Sequence, residues 1–302
     1  MAKILVTDGM DAKAAAALRA LGHEVVEEFY EPALLAEEVK QADVLVVRSA
    51  TKVPAAILDA AAETGRLKAV IRAGVGVDNI DCEHAKTVQI DVRNTPAASS
   101  SAVAELALAH MFSLARHLPA ANVTMRDDQW NKNAYKGIEL AGRTLGLIGF
   151  GRIARSLAEK ASALGMKIVY TDIVGRFEGY DQFEYMEKDD VLKVADFVSL
   201  HIPYIVEQGA TITTREFGLM KDGSYLINCA RGGVVREADL VEALKSGKLA
   251  GAGVDVFEKE PTTNKELINM PNVSCTPHIG ASTKEAQARI GGEIVSIIQE
   301  YF

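Results

Sequence analysis

The sequence is short of everything that would staple a fold covalently, hold it in a membrane or attract it to a polyanion. Its 302 residues include only three cysteines, Cys82, Cys229 and Cys275. They are far apart, odd in number and never paired as C-x-x-C, which argues against a disulfide framework and a structural zinc site and fits a reducing, cytoplasmic setting. No metal site is expected. Basic residues are outnumbered, and a formal charge of −8 repels nucleic acid and supplies no basic stripe to hold it. A small anionic substrate therefore has to be caught by individually placed arginines. Long apolar runs are missing too: the N-terminal MAKILVTDG turns polar too early for a signal-peptide core, and no later stretch reaches membrane-spanning length. The expectation is a soluble, intracellular protein with no membrane partner, no low-complexity segment and no short-period repeat.

What is present is an alternation. ILVT, HEVVEE, DVLVVRS, LKAVIRAG and QIDVRN are short β-branched runs separated by helical patterns such as DAKAAAALRALG and PAAILDAAAETG. That rhythm predicts an α/β fold with a parallel sheet and crossover helices. DVLVVR and LKAVIRA are almost continuously apolar, as strands covered on both faces must be. Asn94-Thr95-Pro96 interrupts the pattern, and SSSAVAELALAHMFSLARHL follows as one long helix, with serines at its N-cap and Glu105 in an early turn. A second series then starts: RTLGLIG, MKIVYTD, DFVSLHIP, SYLINCARGG, GAGVDVF and NVSCTPH. The chain length suits two doubly wound domains. The last helix, from Lys284, has no strand after it and is expected to return to the first domain, giving domains of 1–97 plus 284–302 and 98–283.

In TLGLIGFGRIARSLAEKASALGMKIVYTD, Gly149-x-Gly151-x-x-Ala154 follows a strand and opens a helix, and Asp172 closes the next strand. The whole strand-turn-helix-strand-acid context is the fingerprint of a dinucleotide site. Gly149 permits the tight turn, Gly151 admits a pyrophosphate, and Ala154 lets helix and strand pack closely. The helix N-terminus offers donors to phosphate. Asp172 suits a ribose diol and repels a 2′-phosphate, with Arg176 the only nearby cation, so NAD is expected rather than NADP. S-adenosylmethionine binding would explain the glycines and leave the later polar residues unexplained.

Three later strands end in segments carrying Arg231, Asp255 with Glu260, and His278. Strand C-termini of a parallel sheet share one edge, where ligands bind. Arg231 has the planar fork that grips a carboxylate through two bonds. Glu260 precedes Pro261, which biases it to an extended conformation. His278 is the side chain type that exchanges protons near neutral pH, and it has a carboxylate available to orient it. Together they suit oxidation of a 2-hydroxy acid: Arg231 holds the carboxylate, His278 takes the hydroxyl proton, and the carbon-bound hydrogen leaves as hydride to a nicotinamide.

LIGFGRIA, the HIP of His201 to Pro203, NCARGG, GVDVFEKEP and PHIGAST together resemble the D-2-hydroxyacid dehydrogenase family over nearly the whole chain. The resemblance implies a flavodoxin-like substrate domain and a Rossmann NAD-binding domain, with Arg231, Glu260 and His278 as the catalytic set. It implies that Asp255 bonds the nicotinamide carboxamide and that Arg152, Ile153, His201, Pro203, Ala230 and Gly280 lie along NAD. VVRSATKV, IRAGVGVDNID and PHIGASTKEA are most similar to the D-3-phosphoglycerate dehydrogenase branch, which makes the first oxidation of serine biosynthesis. By that likeness Arg48 and Arg72 face the substrate's phosphate or carboxylate, and Val75 and Gly76 offer it backbone N–H groups.

A homodimer built around the long helix and the RTLG region is implied as well, with Lys132 in a region that reaches the partner's site. Two departures stand out: Tyr204-Ile205 replaces the family's usual Leu-Thr, and the chain stops at Phe302, where many members of that branch continue into regulatory domains. Hydroxypyruvate or glyoxylate reductases and D-lactate dehydrogenases share the same catalytic set without needing a phosphate site. The C-terminal binding proteins keep a similar site in NAD-sensing interaction proteins.

Overall fold

The β-branched runs of the first hundred residues form a five-stranded parallel sheet: β1 (Lys3–Val6), β2 (Glu24–Glu27), β3 (Val44–Val47), β4 (Ala69–Arg72) and β5 (Asp91–Asn94). Their order is β2-β1-β3-β4-β5, the flavodoxin-like arrangement. All four residues of β3 are buried because the sheet is covered twice. Leu5, Leu45, Val47 and Val70 enter one apolar layer, and Ile4, Val44, Val46 and Ile71 enter the other. Each such side chain contributes about 1.5–3 kcal/mol by leaving water. A single inserted polar residue would therefore outweigh any local strand preference.

The computed structural model describes every residue from Met1 to Phe302, and the last of them belong to this sheet's unit. Helix Lys284–Tyr301 lays Ile290, Ile294 and Ile298 on the second apolar layer. Its Gly291 is so close to helix Ala12–Ala20 that a Cβ there would stand 2.6 Å from the Cβ of Ala14. Arg93 of β5 pairs with Glu300 at 2.8 Å. Met1–Ser100 and Ala281–Phe302 thus make one unit, and Ser101–Gly280 makes the other.

The second unit carries β6 (Thr144–Ile148), β7 (Lys167–Thr171), β8 (Glu184–Tyr185), β9 (Phe197–Leu200), β10 (Ser224–Asn228), β11 (Leu249–Val254) and β12 (Val273–Cys275). The strands pair in parallel in the order β12-β11-β10-β9-β6-β7-β8. This is the Rossmann order 3-2-1-4-5-6 with one further strand beside the sixth. β8 is an addition to the sequence reading. Two residues carry no periodicity, and the strand exists only because Tyr185 pairs with Tyr170 of β7.

The long helix runs over Ser100–Ala115, inside the stretch expected for it, and a separate helix follows over Leu118–Arg126. The break falls at His117, at φ 54°, with Pro119 in the first turn of the second helix. Proline has no N–H to continue the first helix and is well placed to start the next. The first helix presses directly on β11. A Cβ at Gly253 would lie 2.6 Å from the Cβ of His110, and one at Gly251 would lie 3.0 Å from Leu114. Throughout the structure, no helix is long and apolar enough to cross a membrane.

Candidate active site

Because the strands of the second unit are parallel, β6, β7, β9, β10, β11 and β12 all deliver their following residues to one edge. At β6 the delivered residues are Gly149 to Ala154. Gly149 has φ +87°, and a Cβ on it would meet the His201 carbonyl oxygen at 2.5 Å, so both the turn and the neighbouring strand end demand glycine. Gly151 caps helix Arg152–Ala163, and a Cβ there would meet nothing within 4 Å. That is the open cradle a pyrophosphate needs. The first backbone N–H to bond within this helix belongs to Arg155, which leaves those of Arg152, Ile153 and Ala154 facing the cradle end. Ala154 is fully buried.

Asp172, just past β7, accepts the Phe150 N–H at 2.7 Å on Oδ2 and the Val174 N–H at 3.1 Å on Oδ1. It thereby ties the glycine turn to the next strand end, and its remaining lone pairs suit a ribose diol. Arg176 is exposed four residues on. These residues fit NAD. They would hold its pyrophosphate on the turn and its adenosine ribose at Asp172.

His201, Pro203 and Ala230 follow β9 and β10 on the same edge. His201 Nε2 lies 3.0 Å from Ser199 Oγ, and burial pushes its imidazole down to about 3. It is neutral at physiological pH, so it is no rival to His278 for acid–base work. Ala230 donates its N–H to Asn228 Oδ1 at 3.1 Å, and Asn228 Nδ2 returns a bond to the Arg231 carbonyl at 3.1 Å. The buried Asn228 thus shapes the loop carrying Arg231. Sequence reading passed over it, although an asparagine closing an apolar strand is itself a signal of a capped turn.

His278 and Glu260, eighteen positions apart, are brought into direct contact. His278 Nδ1 lies 2.7 Å from Glu260 Oε2, with both side chains 36% exposed. The other carboxyl oxygen, Oε1, accepts the Phe257 N–H at 3.1 Å. Burial opposes ionisation of Glu260, but the His278 hydrogen bond and charge, the Phe257 bond and the charge of Arg231 together hold its carboxyl below the usual range. Arg231 is therefore electrically part of the pair, and its Nη1 donates to the Ala230 carbonyl at 2.6 Å. A carboxylate only accepts, so Nδ1 of His278 carries the proton between them and Nε2 is left to exchange a proton with a ligand.

Gly232 explains how the Arg231 and Glu260 loops come so close. A Cβ on it would sit 1.8 Å from the Phe257 carbonyl oxygen and 2.4 Å from its carbon. Both are backbone atoms and neither can swing away. Gly232→Ala is accordingly expected to part the two loops. It should lower turnover at least tenfold and cost about 1–3 kcal/mol of stability, read as a fall in Tm alongside steady-state kinetics. Wild-type turnover in the variant would show that the loops tolerate separation.

Asp255, just after β11, is 1% exposed and is already engaged. Oδ1 accepts the Thr276 hydroxyl at 2.6 Å and the Ile279 N–H at 2.8 Å, and Oδ2 accepts the Gly280 N–H at 2.9 Å. Its backbone oxygen accepts the His278 N–H at 2.9 Å. It organises the loop of His278, a role absent from the sequence reading.

In the other unit, Arg48 follows β3 and Arg72 ends β4. Val47 and Arg72 are register partners, so the two arginines occupy neighbouring strand ends. Asp8 accepts the Arg48 N–H at 2.7 Å, and Asn79 donates to the Arg48 carbonyl at 2.7 Å. Arg72 folds over the turn that follows it. Its Nη1 donates to the Ala73 carbonyl at 3.3 Å and occupies the space that a Cβ on Gly74 would need. Val75 and Gly76 lie in that same turn, half-buried.

Comparison with known proteins bears on this arrangement. The family model described as D-isomer specific 2-hydroxyacid dehydrogenase, NAD binding domain, matches residues 108–280. A hydroxypyruvate reductase of Thermotoga maritima is 46% identical over 91% of the chain and 90% of its own length. A D-3-phosphoglycerate dehydrogenase of Methanocaldococcus jannaschii is 42% identical over 99% of the chain, which spans 57% of that protein. Among solved structures, D-lactate dehydrogenase from Aquifex aeolicus, complexed with NAD and lactic acid, superposes with a TM-score of 0.86 at 30% identity, covering 99% of this chain and 95% of that one.

Proposed function

Since the chain belongs to the D-isomer specific 2-hydroxyacid dehydrogenase family, and is thereby an NAD-dependent oxidoreductase, we propose that its substrate is D-3-phosphoglycerate, oxidised at C2 to the 2-oxo acid. The observation that carries the catalytic reading is the 2.7 Å contact between His278 and Glu260, with Arg231 lowering the same carboxyl. NAD, when bound, supplies the hydride acceptor. Arg231 grips the substrate carboxylate and orients C2. His278 Nε2 takes the C2 hydroxyl proton, and Glu260 stabilises the resulting imidazolium through Nδ1. In reduction the same nitrogen returns a proton to the oxo oxygen.

The phosphate calls for cations beyond Arg231, and Arg48 and Arg72, on adjoining strand ends of an acidic protein, supply two. The relation to D-3-phosphoglycerate dehydrogenases across nearly the whole chain supports this choice. A second reading, a hydroxypyruvate reductase, is favoured by the Thermotoga relative, which matches at 46% identity over 90% of its length. A panel of D-2-hydroxy acids with NAD and NADP, followed by reduced cofactor, separates the two. Under the first reading Arg48→Ala and Arg72→Ala each raise KM for 3-phosphoglycerate about tenfold or more, while unphosphorylated acids change little. Equal effects on both kinds of substrate, or no turnover of 3-phosphoglycerate, would leave the reductase.

The same reading includes a homodimer. It is supported by the exposed apolar residues Phe112, Leu118, Val123, Met125 and Trp130 along the broken helix and the segment after it.

A further inference from the structure

Helix Ser100–Ala115 buries an apolar face, with Ala107, Met111 and Leu114 in the core, yet it also buries His110, which is 2% exposed. Strand β11 makes room for that imidazole by carrying Gly253 opposite its Cβ. An imidazole in such a place is costly unless both nitrogens are bonded, and both are. Nδ1 lies 2.9 Å from Ser274 Oγ, and Nε2 lies 3.2 Å from Thr276 Oγ1.

The bonding dictates where the protons are. The single hydroxyl hydrogen of Thr276 goes to Asp255 Oδ1 at 2.6 Å, so towards His110 this oxygen is an acceptor and Nε2 must carry a hydrogen. In a neutral imidazole Nδ1 is then the acceptor, and the Ser274 hydroxyl donates to it. Burial holds the His110 imidazole below its ordinary range despite the charge of Asp255, in keeping with one ring proton. Besides Asp255, the titratable groups close along this chain are the buried thiol of Cys229, pushed well up by burial and by Asp255, and the His278–Glu260 pair.

The result is a chain of donors with one direction: Ser274 O–H to His110, His110 Nε2–H to Thr276, Thr276 O–H to Asp255. It ends at the carboxylate that accepts the N–H groups of Ile279 and Gly280. Those two residues follow His278, whose backbone sits at φ 54°, a left-handed conformation that a non-glycine residue keeps only when its surroundings impose it. We propose that His110 is a positioning residue for the reaction, acting through Thr276 and Asp255 to hold the loop that presents His278.

This rests on His278 being the acid–base group. A histidine that merely filled the core would affect stability alone.

The test is a double-mutant cycle in the full chain, assayed with NADH and hydroxypyruvate. His110→Leu keeps bulk but removes the donor, Thr276→Val cuts the next link, and His110→Gln restores an N–H near the position of Nε2. The expected result is a fall in kcat of about tenfold for His110→Leu and for Thr276→Val, with KM for NADH little changed. The double variant should be no worse than the poorer single, and His110→Gln should recover most of the loss. A double variant that falls by the product of the singles, or a folded His110→Leu with wild-type kcat, would overturn the proposal.

A readout free of activity accompanies it. Nitrogen-15 shifts of the His110 ring in the unliganded protein at neutral pH should report the Nε2–H tautomer that its bonds to Ser274 and Thr276 require. The Ile279 and Gly280 amides should exchange faster in Thr276→Val. An Nδ1–H tautomer would overturn the proposal even if His110→Leu fails to fold. If wild-type protein reduced no 2-oxo acid, or His278→Gln kept full activity, the functional reading would fail instead, and the ring shifts and amide exchange would still judge the relay.

Discussion

His278→Gln should lower turnover by about two to four orders of magnitude, the usual worth of a positioned general acid–base group, while NADH binds as before. Glutamine approximates the size and polarity of the imidazole, whose Nδ1 now meets Glu260 Oε2 at 2.7 Å, but its amide cannot exchange a proton. The loss therefore belongs in kcat, and a fluorescence titration of NADH should give a Kd within about twofold of wild type. Glu260 carries a pH signature of its own: held below the usual carboxyl range, it stays ionised at neutral pH, and wild-type activity should fall only in stronger acid, where its protonation withdraws the partner of the imidazolium. Turnover of His278→Gln within tenfold of wild type would assign the proton transfer to another group.

Arg231→Gln is expected to cut kcat/KM by about 10²- to 10⁴-fold. Removing one partner of a desolvated charge pair costs about 3–5 kcal/mol, and each 1.4 kcal/mol is a factor of ten. Two effects of the guanidinium are lost together: the forked grip on the substrate carboxylate, and the positive charge that helps keep Glu260 ionised. Arg231→Lys should recover the charge and little of the grip, because a point charge does not orient a planar carboxylate. It should therefore bring back the pH profile more fully than kcat/KM. A 2-oxo amide, which lacks the carboxylate, should suffer far less from either substitution. Equal losses on acid and amide would mean that Arg231 acts only through Glu260.

Much of this architecture was legible along the chain. Continuous apolar runs such as Val44 to Val47 told of a sheet covered on both faces, and the alternation of such runs with helical patterns told of parallel strands. The run from Thr144 to Asp172 could be read for the same local reason: a tight turn, an open helix end and an acid at the next strand end are demands that individual residue types meet at fixed spacing. Parallel direction alone then sends Arg231, Asp255, Glu260 and His278 to one edge.

Other features had no local signature. The two-residue β8 depends on its neighbour in the sheet. The glycine at position 232 reads as one of a pair in a loop until the Phe257 carbonyl is seen against it.

The chain of residue types by itself determined two doubly wound sheets, a dinucleotide turn and a short roll of polar residues at strand ends, because each follows from spacing along a few turns or strands. Only the tertiary structure decided that His278 meets Glu260, that Asp255 is spent on the loop behind it, and that His110 reaches Ser274 across 164 positions. Those bonds join residues far apart in the chain, most of them in loops after different strands. The reach of His110 depends on how closely helix Ser100–Ala115 approaches the glycines of β11, a distance that no periodicity encodes.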